Sequence, residues 1–462
     1  MGVTTQPFIN REAELKLLNE AWRNRPGFVV IYGRRRVGKT RLVIEWLSKF
    51  SGGSYVYYHA LPAKHEVNLL GLTESIERSL GIKGLSKASF KTLDSLLTLV
   101  SQYVKDLVIV IDEFTYWVRA EPRVVGELQR FVDHVLPNTR ILIIVLGSLV
   151  GVMFRDVLGG GAPLYGRASR RVRLEELKLS HIKLLHPNLR STDVFLTYVL
   201  FGGIPYYHTL IRNIESIEDM IWELFFSETP RLRDEVAFIL REEFRDPSTY
   251  YSILKAIAAG ATTPSKISEV TGIQRQHVSK YLSVLEELGL IRREVPIFGR
   301  RGNYFIKDKL ILTWFNIVEP IITRDPSPDK NLYLSEVRSR LNNQASKVFE
   351  EVSRVFAISW GVKHRIRFDA IGRYVHKGVE IDLVGVCREL KEVHLFEVKW
   401  SDLGRNDVLS VINSLRDKAW VLPKSLSSYR LVLHIIARRY LGSIEEIPNT
   451  YLHDVEEVIE LT

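Results

Sequence analysis

The chain has 462 residues, of which 46% are apolar and 26% charged, and it carries a net charge of +10. Such a length exceeds what a single hydrophobic core serves, so about three or four domains are expected. A lone cysteine, Cys387, excludes an internal disulfide and a cysteine-built zinc cluster, while the basic excess favours an anionic partner, nucleic acid first.

In chain order, the opening segment "MGVTTQPFINREAEL" lacks the basic and apolar regions of a signal peptide. No apolar run reaches the roughly 18 residues that span a bilayer, so a cytoplasmic location without membrane association is expected. The stretch "FVVIYGRRRVGKTRLVIEW" (28–46) reads as strand, tight loop and helix. Its loop, Gly33-Arg34-Arg35-Arg36-Val37-Gly38-Lys39-Thr40 with Arg41 behind it, matches G-x-x-x-x-G-K-[ST]. Backbone N–H groups of such a loop curl around phosphates, Lys39 reaches the β/γ oxygens and the Thr40 hydroxyl binds Mg²⁺. ATP and Mg²⁺ are therefore the expected cofactors. "KDLVIVIDEF" (105–114) is a buried strand ending in two acids: Asp112 to hold Mg²⁺ through water, Glu113 to orient the attacking water. A third strand, "RILIIVLGS" (140–148), ends on Ser148, which reads either as a sensor of the γ-phosphate or as a helix N-cap.

Residues 248–296 carry Ile253, Leu254, Ile257, Ile267, Val270, Val278, Leu282, Leu285 and Leu288 at helical spacing, with two strands after them around Gly299–Gly302. The pattern predicts a winged helix. Gln274, Arg275, Gln276, His277 and Lys280 would lie along a DNA groove, and Arg300 and Arg301 on phosphates. The segment 291–309 has six basic residues against two acidic, which favours nucleic acid. A protein-facing or intramolecular module is the other reading of the same helices.

"IITRDPSPDKNLYLSEVRSR" (321–340) is polar and proline-bearing, the pattern of a linker. An amphipathic helix (346–359), the hairpin "GVEIDLVGVCRELKEVHLFEVKW" (378–400), another helix and a strand (430–438) follow. Alternation along the second hairpin strand puts Glu397 and Lys399 on one face with Val393 and Leu395. Unpaired charges are costly in so apolar a hairpin. Such charges pair with each other or with a cation, and Asp382, about fifteen residues before Glu397, is placed where the two could share a divalent metal, the Val398 carbonyl adding an oxygen. Lys399 would stabilise charge or orient a water attacking a phosphodiester, and Glu350 on the preceding helix would complete the shell.

The first half resembles the archaeal ATPase family, P-loop ATPases related to the AAA+ and STAND groups. The likeness rests on the motifs just quoted and on "FINREAELKLL" (8–18), "PLYGRASRRVRLEEL" (163–177) and "YVLFGGIPYYH" (198–208). It implies that Gly203 and Pro205, on a helical lid, pack against adenine; a plain helix break is the alternative. It also implies that Arg167, beside Arg170 and Arg171, serves a neighbouring subunit as an arginine finger, which requires a homo-oligomer. A solvated or DNA-facing patch is the other reading of these arginines. The span 346–462 resembles the PD-(D/E)XK nuclease superfamily, with Ile381 where a proline usually precedes the Asp. This implies a catalytic set of Glu350, Asp382, Glu397 and Lys399 with Mg²⁺ or Mn²⁺, or a domain that has kept the fold and lost the cutting.

The expected fold class is α/β. A P-loop core (1–178), helical lid (179–245), winged helix (246–320), linker (321–345) and restriction-endonuclease-like domain (346–462) make up the chain. The expected function is an ATP-controlled DNA-processing or defence factor. The alternative is a STAND-like switch whose C-terminal domain binds DNA or a partner without cutting.

Overall fold

A computed structural model describes residues 8–211 and 216–462. It comprises two units: the chain up to Glu176 with Ile204–Tyr206, and Leu177–Gly203 with Tyr207–Thr462.

The first unit is built on five parallel strands, β1 (Gly27–Tyr32), β2 (Ser54–His59), β3 (Asp106–Asp112), β4 (Arg140–Gly147) and β5 (Arg170–Arg173), in the order β2-β3-β4-β1-β5. β1, β3 and β4 are almost wholly buried runs of Val, Ile and Leu, as a parallel sheet covered on both faces requires. Around them lie α1 (Glu12–Arg23), α2 (Lys39–Ser48), α3 (His65–Leu80), α4 (Leu93–Tyr103), α5 (Phe114–Ala120), α6 (Arg123–His134) and the short α7 (Val150–Val152). Val30, Ile109 and Ile143 of the sheet meet Leu72, Leu97, Trp117 and Phe131 of the helices in one buried cluster.

The second unit begins with α8 (Leu179–Leu185) and α9 (Ser191–Phe201). α10 (Pro205–Thr209), α11 (Ile217–Ile221) and α12 (Glu235–Glu243) follow in the chain. The winged helix comprises α13 (Pro247–Ala258), α14 (Pro264–Thr271), α15 (Arg275–Glu287) and the antiparallel pair β6 (Ile291–Glu294) and β7 (Asn303–Ile306). Pro247 and Pro264 open their helices, where a missing N–H costs nothing, and the Asp246 and Thr263 side chains cap them. The expected apolar positions are buried except Val270, which is 65% exposed. α14 has eight residues and buries only Ile267, so a side chain three residues on faces solvent.

α16 (Lys309–Thr313) and α17 (Glu319–Ile322) lead to α18, a 34-residue helix from Lys330 to Lys363. The stretch expected as a linker is thus largely helical. Pro326 and Pro328 end just before Asp329, whose carboxylate caps α18 by accepting from Asn331 and Leu332 N–H. Val337, Leu341, Ala345, Val348 and Val352 then recur at three or four residues and are buried. Polar flanks hid this apolar stripe in the sequence.

The C-terminal sheet is mixed, in the order β12-β11-β10-β9-β8, from β8 (Ala370–His376), β9 (Val379–Cys387), β10 (Glu392–Leu403), β11 (Arg430–Tyr440) and β12 (Thr450–His453). β8, β9 and β10 pair antiparallel; β10, β11 and β12 pair parallel. α19 (Arg405–Lys418) packs Val408, Ile412 and Leu415 against Val393, Leu395 and Ile435, and α20 (Val455–Leu461) ends the chain. Three buried histidines join the parallel strands: His394 to His434 at 2.9 Å and His434 to His453 at 3.0 Å, with Glu392 and Glu457 at the two ends. Each ring nitrogen therefore meets a partner instead of being buried alone.

Candidate nucleotide site and C-terminal charge cluster

The loop between β1 and α2 has the backbone that phosphate binding needs. Gly33 has φ 155°, and a Cβ there would stand 2.5 Å from the Leu174 carbonyl oxygen, so no other residue fits. Val37 is buried and Arg34, Arg35, Arg36 and Arg41 are half-buried. Arg34 pairs with Glu176 at 3.1 Å, and the Arg36 guanidinium lies 4.1 Å from the ring centre of Tyr206. Lys39 is buried after Gly38 and donates to the carbonyls of Gly33 (2.9 Å) and Arg34 (3.0 Å). Arg11, which the sequence reading placed only within a resemblance motif, is a brace for the loop. Its guanidinium is buried, donates to Glu175 O at 2.5 Å and reaches Val37 O at 3.5 Å.

The acids at the end of β3 meet this loop. Thr40 Oγ1 donates to Asp112 Oδ2 at 2.6 Å. Burial pushes the Asp112 carboxyl up, but the His59, Thr40 and Tyr57 side chains and the Glu113 N–H outweigh it and hold the group below the ordinary range. Glu113 takes a left-handed backbone (φ 52°), rare for a non-glycine residue and often found where function fixes geometry. Ser148 Oγ donates to Glu113 Oε2 at 2.5 Å. The N-cap of α7 is Leu149, so the N-cap reading of Ser148 falls away. Loop N–H groups, Lys39, Thr40 and a buried ionised Asp112 form a donor set that suits a magnesium–triphosphate.

Arg167 is held at home: Nε donates to Asp133 at 2.7 Å and Nη1 to Pro163 O at 2.8 Å. Arg170 and Arg171 lie within β5 and are exposed. Pro205 belongs to the first unit and Gly203 to the second. The Gly203 carbonyl accepts the Leu177 N–H at 2.8 Å, and a Cβ at Gly203 would stand 1.8 Å from the Leu177 carbonyl oxygen. Gly203→Ala is therefore expected to cost about 3 kcal/mol of stability, seen as a lowered thermal midpoint.

On the winged helix, Gln274, Arg275, Gln276, His277 and Lys280 are all exposed, as are Arg300 and Arg301. The root of the wing instead packs within its own unit. Ile297 N–H donates to Arg373 O at 2.8 Å, Phe298 meets Tyr374, and Arg292 and Lys309 pair with Glu351 at 3.3 and 2.6 Å. The basic excess of 291–309 is thus partly spent inside the molecule.

The C-terminal acids and lysine come together. Asp382 Oδ2 accepts the Val398 N–H at 2.8 Å. Burial, then the charge of Glu397, pushes the Asp382 carboxyl up to about 6; burial, then Asp382, pushes Glu350 up to about 7. A cavity of about 690 Å³ is lined by Glu350 and Asp382 together with Arg292, Phe305, Lys347 and Arg354. One detail departs from the sequence reading. The two oxygens of Glu397, the residue expected to share a metal with Asp382, accept from Lys399 (2.7 Å) and Lys418 (2.9 Å). Among the described residues no three acids or histidines already stand in metal-binding geometry. Lys418, on α19, is invisible in the Glu-x-Lys pattern because it lies 21 residues beyond Glu397.

Among the described residues no helix is long and apolar enough to cross a membrane. Residues 8–210 match an ATPase domain predominantly from Archaea, residues 247–302 the MarR family, and residues 314–411 a family of archaeal and bacterial proteins of unknown function. The uncharacterized protein MJECL04 of Methanocaldococcus jannaschii is 31% identical over 462 residues, which is 97% of this chain and 99% of that one. The uncharacterized ATP-binding protein MJ0423 of the same organism is 46% identical over 41 residues, 9% of this chain and 70% of that one. In fold, the Walker-type ATPase PABY2304 of Pyrococcus abyssi matches with a TM-score of 0.51 at 21% identity, covering 67% of this chain and 96% of that one. With its phosphate loop, acidic strand end and a full-length relative in hand, the chain belongs to the family of P-loop ATPases whose ATPase domain is found predominantly in Archaea.

Proposed function

We propose that this ATPase binds MgATP and, under its control, engages nucleic acid, DNA foremost, with a C-terminal charge cluster suited to metal-dependent phosphodiester chemistry. The observation that carries the reading is the open face of α15. A helix that buries Val278, Leu282 and Leu285 turns Gln274, Arg275, Gln276, His277 and Lys280 to solvent, and Arg300 and Arg301 of the wing are exposed as well. Such a row suits phosphate and base-edge contacts.

In the nucleotide site, loop N–H groups and Lys39 would receive the phosphates while Thr40 and Asp112 would hold Mg²⁺, which neutralises phosphate charge when bound. Glu113 would orient the attacking water and accept its proton, with Ser148 holding the carboxylate in place. Pro205 and Gly203 are the candidates for adenine contact. Arg167 would act as a finger in a homo-oligomer only after leaving Asp133.

For the C-terminal domain, the order of helix, three antiparallel strands, helix and parallel strand supports the PD-(D/E)XK likeness. Two carboxyls with raised proton affinity next to Lys399 are a place where Mg²⁺ or Mn²⁺ would relieve repulsion. A regulatory switch whose tail binds without cutting is the second reading. It is favoured by the two lysines on Glu397, which already neutralise a would-be metal ligand.

The test is DNA binding at low salt, where phosphate contacts are strongest. Replacing Arg275 and Lys280 together with Ala is expected to weaken binding about tenfold or more and to flatten the salt dependence. Unchanged affinity and salt slope would remove the winged helix from the DNA interface.

A further inference from the structure

The buried carboxylate of Asp112 accepts one hydrogen bond at short range from outside the nucleotide-binding motifs. Oδ2 accepts from Thr40 Oγ1 (2.6 Å) and from the Tyr57 hydroxyl (2.5 Å), and Oδ1 accepts the Glu113 N–H (2.8 Å). Tyr57 comes from β2, the edge strand next to β3. Its neighbours Val56 and Tyr58 point into the core cluster, so alternation turns Tyr57 and His59 to the other face of the sheet. His59, in register with Asp112, stands 3.9 Å from Oδ2, beyond hydrogen-bond reach. Tyr57, one turn of the pleat back, makes the bond that His59 does not.

Acceptor positions can be counted. An ionised carboxylate offers about four. Thr40, Tyr57 and Glu113 occupy three, leaving one, on Oδ1. The Thr40 proton is directed at Asp112, so the lone pairs of that hydroxyl oxygen remain for a cation. Two donors converging on Oδ2 fix the plane of the carboxylate and so the direction of the remaining acceptor position.

We infer that Tyr57 is a positioning residue for the divalent cation of the nucleotide: by its bond to Oδ2 it locks Asp112 so that one Oδ1 lone pair and the Thr40 oxygen are presented to Mg²⁺ and its water. Tyr57 touches neither nucleotide nor reacting atoms in this role; it acts through Asp112. Removing the phenol hydroxyl leaves Oδ2 with one donor and the carboxylate free to turn. The loop N–H groups and Lys39, which serve the phosphates, are untouched. Loss of metal coupling without loss of metal-free nucleotide binding is the consequence.

The test is the affinity of the full chain for a fluorescent ATP analogue, measured without divalent cation and across a Mg²⁺ titration, for wild type, Tyr57→Phe and Tyr55→Phe. Tyr55 shares the strand face and makes no bond to Asp112, so it controls for changes to the strand. Tyr57→Phe is expected to keep its metal-free affinity within about twofold and to need about five- to tenfold more Mg²⁺ for half-maximal effect, the size of one lost hydrogen bond. Mn²⁺, which binds N/O sites more tightly than Mg²⁺, is expected to restore part of the coupling. An unchanged Mg²⁺ midpoint in Tyr57→Phe overturns the proposal. So does an equal loss of affinity with and without metal, which would make Tyr57 a structural residue.

Discussion

Glu113→Gln is expected to lower ATP turnover by about two to three orders of magnitude while leaving ATP binding nearly intact. The side chain stands at the strand end after Asp112, in a left-handed backbone that α5 and β3 together enforce. Its Oε2 accepts a short bond from Ser148, and a glutamine oxygen can accept the same bond, so the local structure survives. What the amide cannot do is take a proton from water, and positioned general bases contribute about 10²–10⁴ in rate. Single-turnover hydrolysis beside equilibrium ATP binding separates the two effects. Turnover within about threefold of wild type would move the general base elsewhere. The substitution leaves Asp112, Thr40 and Lys39 in place, so a binding defect would instead indicate that the strand end had collapsed.

The second large effect concerns Asp382 and Glu350. Burial, with the charge of Glu397 acting on Asp382 and that of Asp382 on Glu350, raises these carboxyls to about 6 and about 7, against an unfolded value of about 4. The native state therefore holds protons that the unfolded chain has released between about pH 4 and pH 7. By linkage, stability falls as pH rises through that window. Asp382→Asn removes one charge while its amide oxygen can still accept the Val398 N–H, so at pH 8 the variant is expected to be more stable by about 1–2 kcal/mol, with the gain shrinking through pH 5 and vanishing below about pH 4. Mg²⁺ or Mn²⁺ is expected to raise the melting temperature of the wild type at pH 8 by a few degrees and to leave the variant unmoved. Any metal-dependent DNA cleavage is expected to drop at least a hundredfold in the same variant. A melting temperature that ignores both pH and metal would show that the lysines alone balance the cluster, the outcome that belongs to the switch reading.

Local patterns revealed much of this molecule. A loop whose glycine must be glycine, strands of unbroken Val, Ile and Leu, and prolines at the first turn of two helices each carry their structure within a few residues. The candidate nucleotide site was legible for that reason: Lys39 and Thr40 open the helix that follows β1, and Asp112 and Glu113 stand at the end of β3 in the same parallel sheet. The long helix over Lys330–Lys363 was not, because its polar flanks mask a buried stripe that only packing against the C-terminal sheet reveals.

By itself the sequence determined the parallel core, the phosphate loop, the winged helix and the presence of acids and a lysine in an apolar hairpin. Tertiary structure alone decided their partners. It placed Tyr57 of the edge strand on Asp112, Ser148 on Glu113, and Lys418 of α19 on Glu397. It also folded the root of the wing against the C-terminal domain while leaving α15 open. The reason is range: backbone propensity and periodicity act over a few residues, whereas a buried charge is neutralised by whatever donor the fold carries to within about 3 Å, however far away it lies along the chain.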